Sequence, residues 1–121
     1  MTKILIAEED DGVADFLKDL FEKIGPFQIL RVLTPEESIL LVETEKPDWF
    51  FLALEFGSSR PVGLEVLEKV RMISPQTKTI AMTTNQDLLM KQKALELGAA
   101  DCLIKPSDFK IPRLKEYFET N

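Results

Sequence analysis

The chain has 121 residues, which is enough for one domain with a buried core and too few for two. It carries 15 lysine and arginine residues against 21 aspartate and glutamate residues, and the net charge of −6 argues against nucleic acid or an anionic membrane as a partner of the whole surface. One cysteine and no histidine exclude an internal disulfide, a Ser-His or Cys-His catalytic pair and a histidine-based metal site.

Apolar runs alternate with helical patterns in the first part of the chain. The short run Lys3–Ala7 predicts a strand, and apolar residues spaced three and four apart over 13–24 predict an amphipathic helix. Residues 27–32 predict a second strand after a Gly-Pro stop. A threonine cap, a proline and a glutamate over 34–37 then predict the start of a second helix. We expect that helix to bury three apolar side chains, namely Ile39, Leu40 and Val42.

The stretch "KPDWFFLALEFGSS" (46–59) begins with a helix breaker, continues through apolar residues and ends in a polar loop. It predicts a buried strand whose tip is Ala53. The stretch "GLEVLEKVRMI" (63–73) predicts a helix with these residues facing inward: Leu64, Leu67, Val70 and either Met72 or Ile73. Further strands are predicted over 78–84 and 100–105, and further helices over 88–97 and 111–118.

The alternation of strand and helix predicts how the elements assemble. Strands separated by helices of this length cannot form hairpins, so we expect a doubly wound α/β domain with a parallel sheet and helices on both faces. Ligands of such sheets bind at the carboxyl ends of the strands. At those ends the sequence places acidic, hydroxyl and lysine side chains, namely Glu8, Glu9, Glu55, Thr83 and Lys105.

Five stretches together resemble the receiver domain of two-component response regulators over nearly the whole chain. They are "KILIAEEDD", "KPDWFFLALEF", "GLEVLEKVR", "KTIAMTT" and "LELGAADCLIKP". The resemblance implies a single receiver domain over 1–121 and a flavodoxin-like, five-stranded parallel sheet in the order 2-1-3-4-5. It also implies a bacterial source and a place in phosphorelay signalling.

The resemblance assigns a role to each strand end. In the family, two acids after the first strand bind Mg²⁺, and an aspartate ending the third strand accepts a phosphoryl group from a histidine kinase. A hydroxyl and a lysine ending the fourth and fifth strands bind the phosphoryl oxygens. The matching positions are Glu8, Glu9 and the backbone carbonyl of Glu55 for the metal, Ala53 for the acceptor, Thr83 and Lys105 for the phosphate pocket, and Cys102 for the aromatic switch on the fifth strand.

The sequence departs from the family pattern at four places. Ala53 stands where the family has its acceptor, and a methyl group can neither attack phosphorus nor bind a metal ion. The acidic pair is Glu-Glu, whose longer side chains matter to an ion as strict in its geometry as Mg²⁺. The loop from Ala53 to Gly63 is longer than in the family, and Cys102 has no ring. We therefore expect no cofactor, with Mg²⁺ binding weak or lost.

These features predict an atypical, non-enzymatic receiver domain that is not phosphorylated and acts through protein contacts. The resemblance places the contact surface on helix four, strand five and helix five, with a histidine kinase or an output protein as partner. On this chain that surface includes five residues, namely Lys91, Lys93, Phe109, Lys110 and Tyr117. The early acidic residues argue against a signal peptide and no apolar run is long enough to span a bilayer, so we expect a cytoplasmic protein.

Two other functions fit parts of the pattern. An ordinary phosphorylatable receiver with an engineered Ala53 would have the same sequence. A flavodoxin-like enzyme would need a glycine-rich phosphate loop after the first strand, whereas "AEEDDGVAD" is acidic and would repel a phosphate.

Simpler structural roles also fit the strand-end residues. The acidic turn could cap the first helix, Thr83 could be a strand residue with a satisfied hydroxyl, and Cys102 could be a small core residue. We expect Lys105 to form an exposed ion pair with Glu8 or Glu9. An exposed pair of this kind contributes only about 0–1 kcal/mol.

Overall fold

A computed structural model describes residues 1–56 and 60–119. Within these ranges the strands are β1 (Lys3–Ala7), β2 (Gln28–Val32), β3 (Trp49–Ala53), β4 (Lys78–Thr83) and β5 (Asp101–Ile104). The helices are α1 (Asp11–Ile24), α2 (Pro35–Glu45), α3 (Gly63–Ile73), α4 (Leu88–Glu96) and α5 (Ile111–Phe118). None of these helices combines the length and the apolarity that crossing a bilayer requires.

The strands form one parallel sheet in the order β2-β1-β3-β4-β5, which confirms the predicted topology. The pairing register brings the carboxyl ends of four strands to one edge. Ala7 pairs with Leu52, and Ala53 pairs with Met82. Thr83 in turn pairs with Ile104 of β5. The residues that follow these strands therefore meet above the same edge of the sheet.

The central strands are apolar along their whole length because helices cover both faces of the sheet. On one face α1 and α5 pack on β3 through Leu17, Phe21 and Leu114, all of them inaccessible to solvent. On the other face α2, α3 and α4 pack on the sheet, with Val42 and Ala94 fully buried. The two hydrophobic layers hold the strands in place and leave the loops at the carboxyl ends to form a site.

Two helices bury different residues from those that their sequences predicted. In α2, Leu40 is 58% exposed, and the buried face is formed by Ser38 and Val42, one turn apart. In α3, Met72 and Ile73 are 82% and 40% exposed. Both helices carry apolar side chains on more than one side, so packing against the sheet, and not the apolar pattern, selects the buried face.

The beginning of α3 lies directly against the end of β3. The N–H of Gly63 donates a hydrogen bond of 2.6 Å to the carbonyl of Leu54. A Cβ atom at Gly63 would lie 2.6 Å from the Leu54 Cα and 2.7 Å from the Ala53 carbonyl oxygen. These are backbone atoms that cannot rotate away, so the close approach of helix and strand requires glycine.

We predict that Gly63→Ala lowers the free energy of unfolding by about 2 kcal/mol, because the added methyl forces α3 away from the strand end. Urea denaturation followed by the fluorescence of Trp49 measures the change. Gly25→Ala is the matched control, since its Cβ would meet only the Phe27 ring at 3.8 Å. Equal stability of the Gly63 variant and the wild type would contradict this account of the junction.

Candidate functional site

A cavity of about 230 Å³ lies where the strand ends meet. Its lining comes from the loops after β1, β3, β4 and β5, namely Glu8, Glu9, Asp10, Val13, Glu55, Thr84, Lys105 and Pro106. The lining includes four carboxylates and one ammonium group. Thus the structure brings together all the predicted strand-end acids and the predicted lysine.

The acidic turn after β1 is held by hydrogen bonds on both of its sides. The Asp10 carboxylate accepts from the N–H of Val13 at 3.0 Å and caps α1. From β2, Arg31 donates two hydrogen bonds to the Glu8 carbonyl, at 3.0 and 2.8 Å, and forms an ion pair with Asp11 at 2.8 Å. Arg31, which the sequence did not single out, therefore fixes the backbone from which Glu8 extends.

Lys105 forms an ion pair with Glu8, which is one of the two partners that the sequence predicted. Its Nζ donates to Glu8 Oε1 at 2.5 Å, and the second oxygen of the carboxylate accepts from the N–H of Asp10 at 3.1 Å. Glu9 lines the cavity but remains exposed. Glu8 is therefore bound at two places. The Lys105 ammonium and the Asp10 amide bind its carboxylate, and Arg31 binds its backbone carbonyl.

The expectation that this ion pair is exposed was wrong. The side chains of Lys105 and Glu8 are 8% and 0% exposed. Lys105 extends from the end of β5 to the end of β1, and β4 and β3 lie between these two strands in the sheet. Removing one partner of a buried pair leaves an unpaired charge, which costs several kcal/mol, so this contact matters more to stability than a surface pair does.

Ala53 ends β3 beneath the cavity. Its side chain is completely buried, in the same hydrophobic cluster as Leu103 and Phe109. A methyl group offers no lone pair, and this one does not reach the cavity lining. Ala53 therefore supplies no nucleophile to the cavity.

Glu55 contributes its side chain to the site, whereas the family resemblance assigned a role only to its backbone carbonyl. The buried hydroxyl of Thr83 donates to Glu55 Oε2 at 2.8 Å. The other oxygen, Oε1, has less than 1 Å² of accessible surface and no hydrogen-bond partner within 1–56 and 60–119. Because β3 and β4 are adjacent, the predicted strand order indicates that their ends are close together. It does not indicate the direction in which either side chain points.

The donor atoms do not fit the Mg²⁺ ion that the fold family implies. Octahedral Mg²⁺ requires oxygen ligands close together and arranged around one point. Ala53 supplies no oxygen, Glu8 is engaged by Lys105, and Asp10 caps α1. Within the described residues no three acidic side chains approach each other closely enough to hold a metal ion. The unpartnered oxygen of Glu55 is a single ligand, and weak Mg²⁺ binding stays a prediction.

On the predicted contact surface, one acid connects β5 to both flanking helices. Asp101 Oδ2 accepts from the Tyr117 hydroxyl at 2.6 Å and pairs with Arg113 at 3.1 Å, while Oδ1 lies 3.9 Å from Lys91 Nζ. Burial alone would raise the pKa of Asp101, but the Tyr117 and Cys102 hydrogen bonds and the charge of Arg113 lower it. The sequence analysis missed this acid, although an Asp at the start of a strand facing an Arg and a Tyr one turn apart is a detectable signal.

One predicted residue of this surface and the predicted switch position on β5 lie in the interior. Phe109 is 3% exposed and packs near Phe16 of α1, with ring centroids 6.3 Å apart, so the prediction that it contributes to the contact surface was wrong. Cys102 is 2% exposed. Burial, followed by the nearby charge of Asp101, raises the pKa of the Cys102 thiol to about 11, so the group is neutral at pH 7.

We predict that Lys105→Met destabilises the domain by about 3 kcal/mol at pH 7, because the Glu8 carboxylate remains buried without its cation. Urea denaturation measures the change. Glu65→Gln is the control, since its ion pair with Arg60 is 68% and 70% exposed and is worth at most about 1 kcal/mol. The double variant Glu8→Gln/Lys105→Met should regain at least half of the loss, and a double variant no more stable than the single one would contradict the pairing.

Known proteins resemble this chain in sequence. The sporulation initiation phosphotransferase F of Bacillus subtilis is 30% identical over 106 residues, which cover 88% of this chain and 83% of that protein. A probable C4-dicarboxylate response regulator DctR of Priestia megaterium is 27% identical over 117 residues, 96% of this chain and 50% of that protein. The chain thus spans most of one relative and half of a larger one.

Solved structures and the family pattern agree with these relatives. The signal receiver domain of a DNA-binding response regulator from Colwellia psychrerythraea superimposes with a TM-score of 0.86 at 26% identity, covering 98% of this chain and 95% of that one. The sequence model of the response regulator receiver domain matches residues 4–118. The chain belongs to the response regulator receiver domain family.

Proposed function

We propose that this receiver domain acts in two-component signalling through protein contacts, without accepting a phosphoryl group and without enzymatic activity. The observation that carries the proposal is the buried methyl group of Ala53 at the end of β3. Phosphoryl transfer to a carboxylate needs that carboxylate as nucleophile, with positive charge to stabilise the transferred group. Ala53 can supply neither a nucleophile nor a metal ligand.

The two groups that could hold phosphoryl oxygens are already bound to other side chains. The Lys105 ammonium lies against Glu8, and the Thr83 hydroxyl donates to Glu55. An incoming phosphate would have to displace two carboxylates and enter a cavity lined with negative charge. This arrangement supports a receiver that responds to a partner and not to a phosphate donor.

The surface formed by α4, β5 and α5 is the proposed site of contact. Receiver domains interact with histidine kinases and output domains, so a protein partner follows from the family. Lys93 of α4 and Lys110 before α5 are exposed, and Leu89 at the start of α4 is 67% exposed. Asp101 ties α4 and α5 to β5, which gives the surface a defined shape. A basic and apolar surface of this kind suits a partner with acidic residues around an apolar centre.

We predict no gain in mass when the purified chain is incubated with acetyl phosphate and Mg²⁺. Intact-protein mass spectrometry checks the result, because one phosphoryl group adds a mass that is easily resolved. The Ala53→Asp variant tests the assay, since it restores a carboxylate at the end of β3. A base-labile mass gain in the unaltered chain would overturn the proposal.

The contact surface can be tested with a photo-crosslinking amino acid placed at Lys93 or Lys110. In cells of the source organism we expect both positions to crosslink to the same protein, because they flank one surface. Lys18, exposed on α1, is the matched control and should not yield that product. Crosslinking to that protein from Lys18 alone would move the contact site to the other side of the domain.

A further inference from the structure

A continuous chain of hydrogen bonds runs from the cavity to the beginning of α4. Thr83 donates to the Glu55 carboxylate at 2.8 Å and accepts from the N–H of Asn85 at 3.0 Å. The Asn85 side chain accepts from the N–H of Asp87 at 2.8 Å. Asp87 in turn caps α4 by accepting from the N–H of Leu89 at 2.9 Å. Along the loop between β4 and α4, Asn85 therefore binds Thr83, Asp87 binds Asn85, and Leu89 binds Asp87.

Glu55 is the fixed end of this chain. An ionised carboxylate only accepts hydrogen bonds, so the Thr83 hydroxyl must point its single hydrogen at Glu55 and leave a lone pair for the Asn85 amide. Thr83 is fully buried, which removes water as a competing acceptor. Hydrogen bonds to ionised groups are shorter and stronger than neutral ones, and neighbouring bonds in a chain reinforce one another.

The backbone conformation next to Glu55 helps to fix the position of the Glu55 side chain. Phe56 has a φ of +47°, an unusual value for an aromatic residue that persists only when surrounding contacts stabilise it. Its ring packs against the hydrophobic core, and the Leu54 N–H donates to the Met82 carbonyl at 2.9 Å. The turn that carries Glu55 is therefore anchored to β4 on one side and to the core on the other.

We infer that Glu55 is a built-in positioning residue that holds the loop between β4 and α4, and with it the first turn of α4, in one conformation. The inference rests on the proposed function, in which Thr83 binds no phosphoryl group. The Glu55 carboxylate is instead the permanent hydrogen-bond acceptor of Thr83. Its consequence is that Leu88 and Leu89, 65% and 67% exposed, are presented at all times on the contact surface. A partner would meet this end of α4 already ordered.

Amide exchange with water tests the inference directly, because the amides of Asn85, Asp87 and Leu89 are donors in the chain. Solvent-exchange NMR on the purified, unmodified protein measures the exchange rates of these three amides. In Glu55→Ala we expect their exchange to rise about tenfold, the factor that corresponds to losing one hydrogen bond to a charged group. Thr83→Val should have the same effect, since it removes the hydroxyl and keeps the shape.

Two control variants separate positioning from general stability. Glu55→Gln keeps an oxygen that accepts from Thr83, so exchange should stay within about threefold of the wild type. Thr84→Val changes the exposed neighbouring threonine and should leave the three amides unaltered. Unchanged exchange in a folded Glu55→Ala would overturn the inference, as would a uniform rise that includes strand amides such as Leu52. Because the experiment involves no phosphate donor and no partner, its failure is distinct from a failure of the proposed function.

Discussion

A buried carboxylate needs a counter-charge, and in this domain Lys105 supplies it to Glu8. The two residues are 97 positions apart in sequence and lie on the loops after β5 and β1, with two strand ends between them. Neither partner can be lost without leaving the other as an unpaired charge in a site that water hardly reaches. The acidic turn and the end of β5 therefore depend on each other.

Other polar groups around the cavity also have hydrogen-bond partners within the chain. Arg31 binds the carbonyl of Glu8, and the Glu55 carboxylate receives the hydroxyl of Thr83. Lys105 and Thr83, the two side chains that the resemblance assigns to phosphoryl oxygens, thus already bind other residues of the chain. Among the described residues, Glu55 Oε1 is a buried side-chain oxygen without a hydrogen-bond partner. An orphaned oxygen of this kind costs on the order of 1–3 kcal/mol, which the surrounding contacts must offset.

Local patterns predicted the strands, the helices and a parallel sheet, because each short apolar run must be buried and parallel strands must be joined by helices. The strand order was predicted by the family resemblance and not by these patterns. The same patterns failed for Leu40 and Met72, whose helices carry apolar residues on several sides. The family resemblance, in turn, placed Phe109 on the contact surface, whereas this residue lies after β5 and packs on the α1 side of the sheet. In each case the buried side was chosen by a neighbouring element distant in sequence.

At the strand ends, the residue types and their order along the chain were enough to indicate the family, and the resemblance placed Ala53 at the acceptor position. The partner of Lys105, the burial of that pair and the use of the Glu55 side chain by Thr83 were decided only in three dimensions. Spacing in sequence specifies which strand a residue ends but not how far its side chain reaches across the neighbouring strands. That reach depends on the strand order and on the turn at Phe56, which bring groups from four loops to within hydrogen-bonding distance.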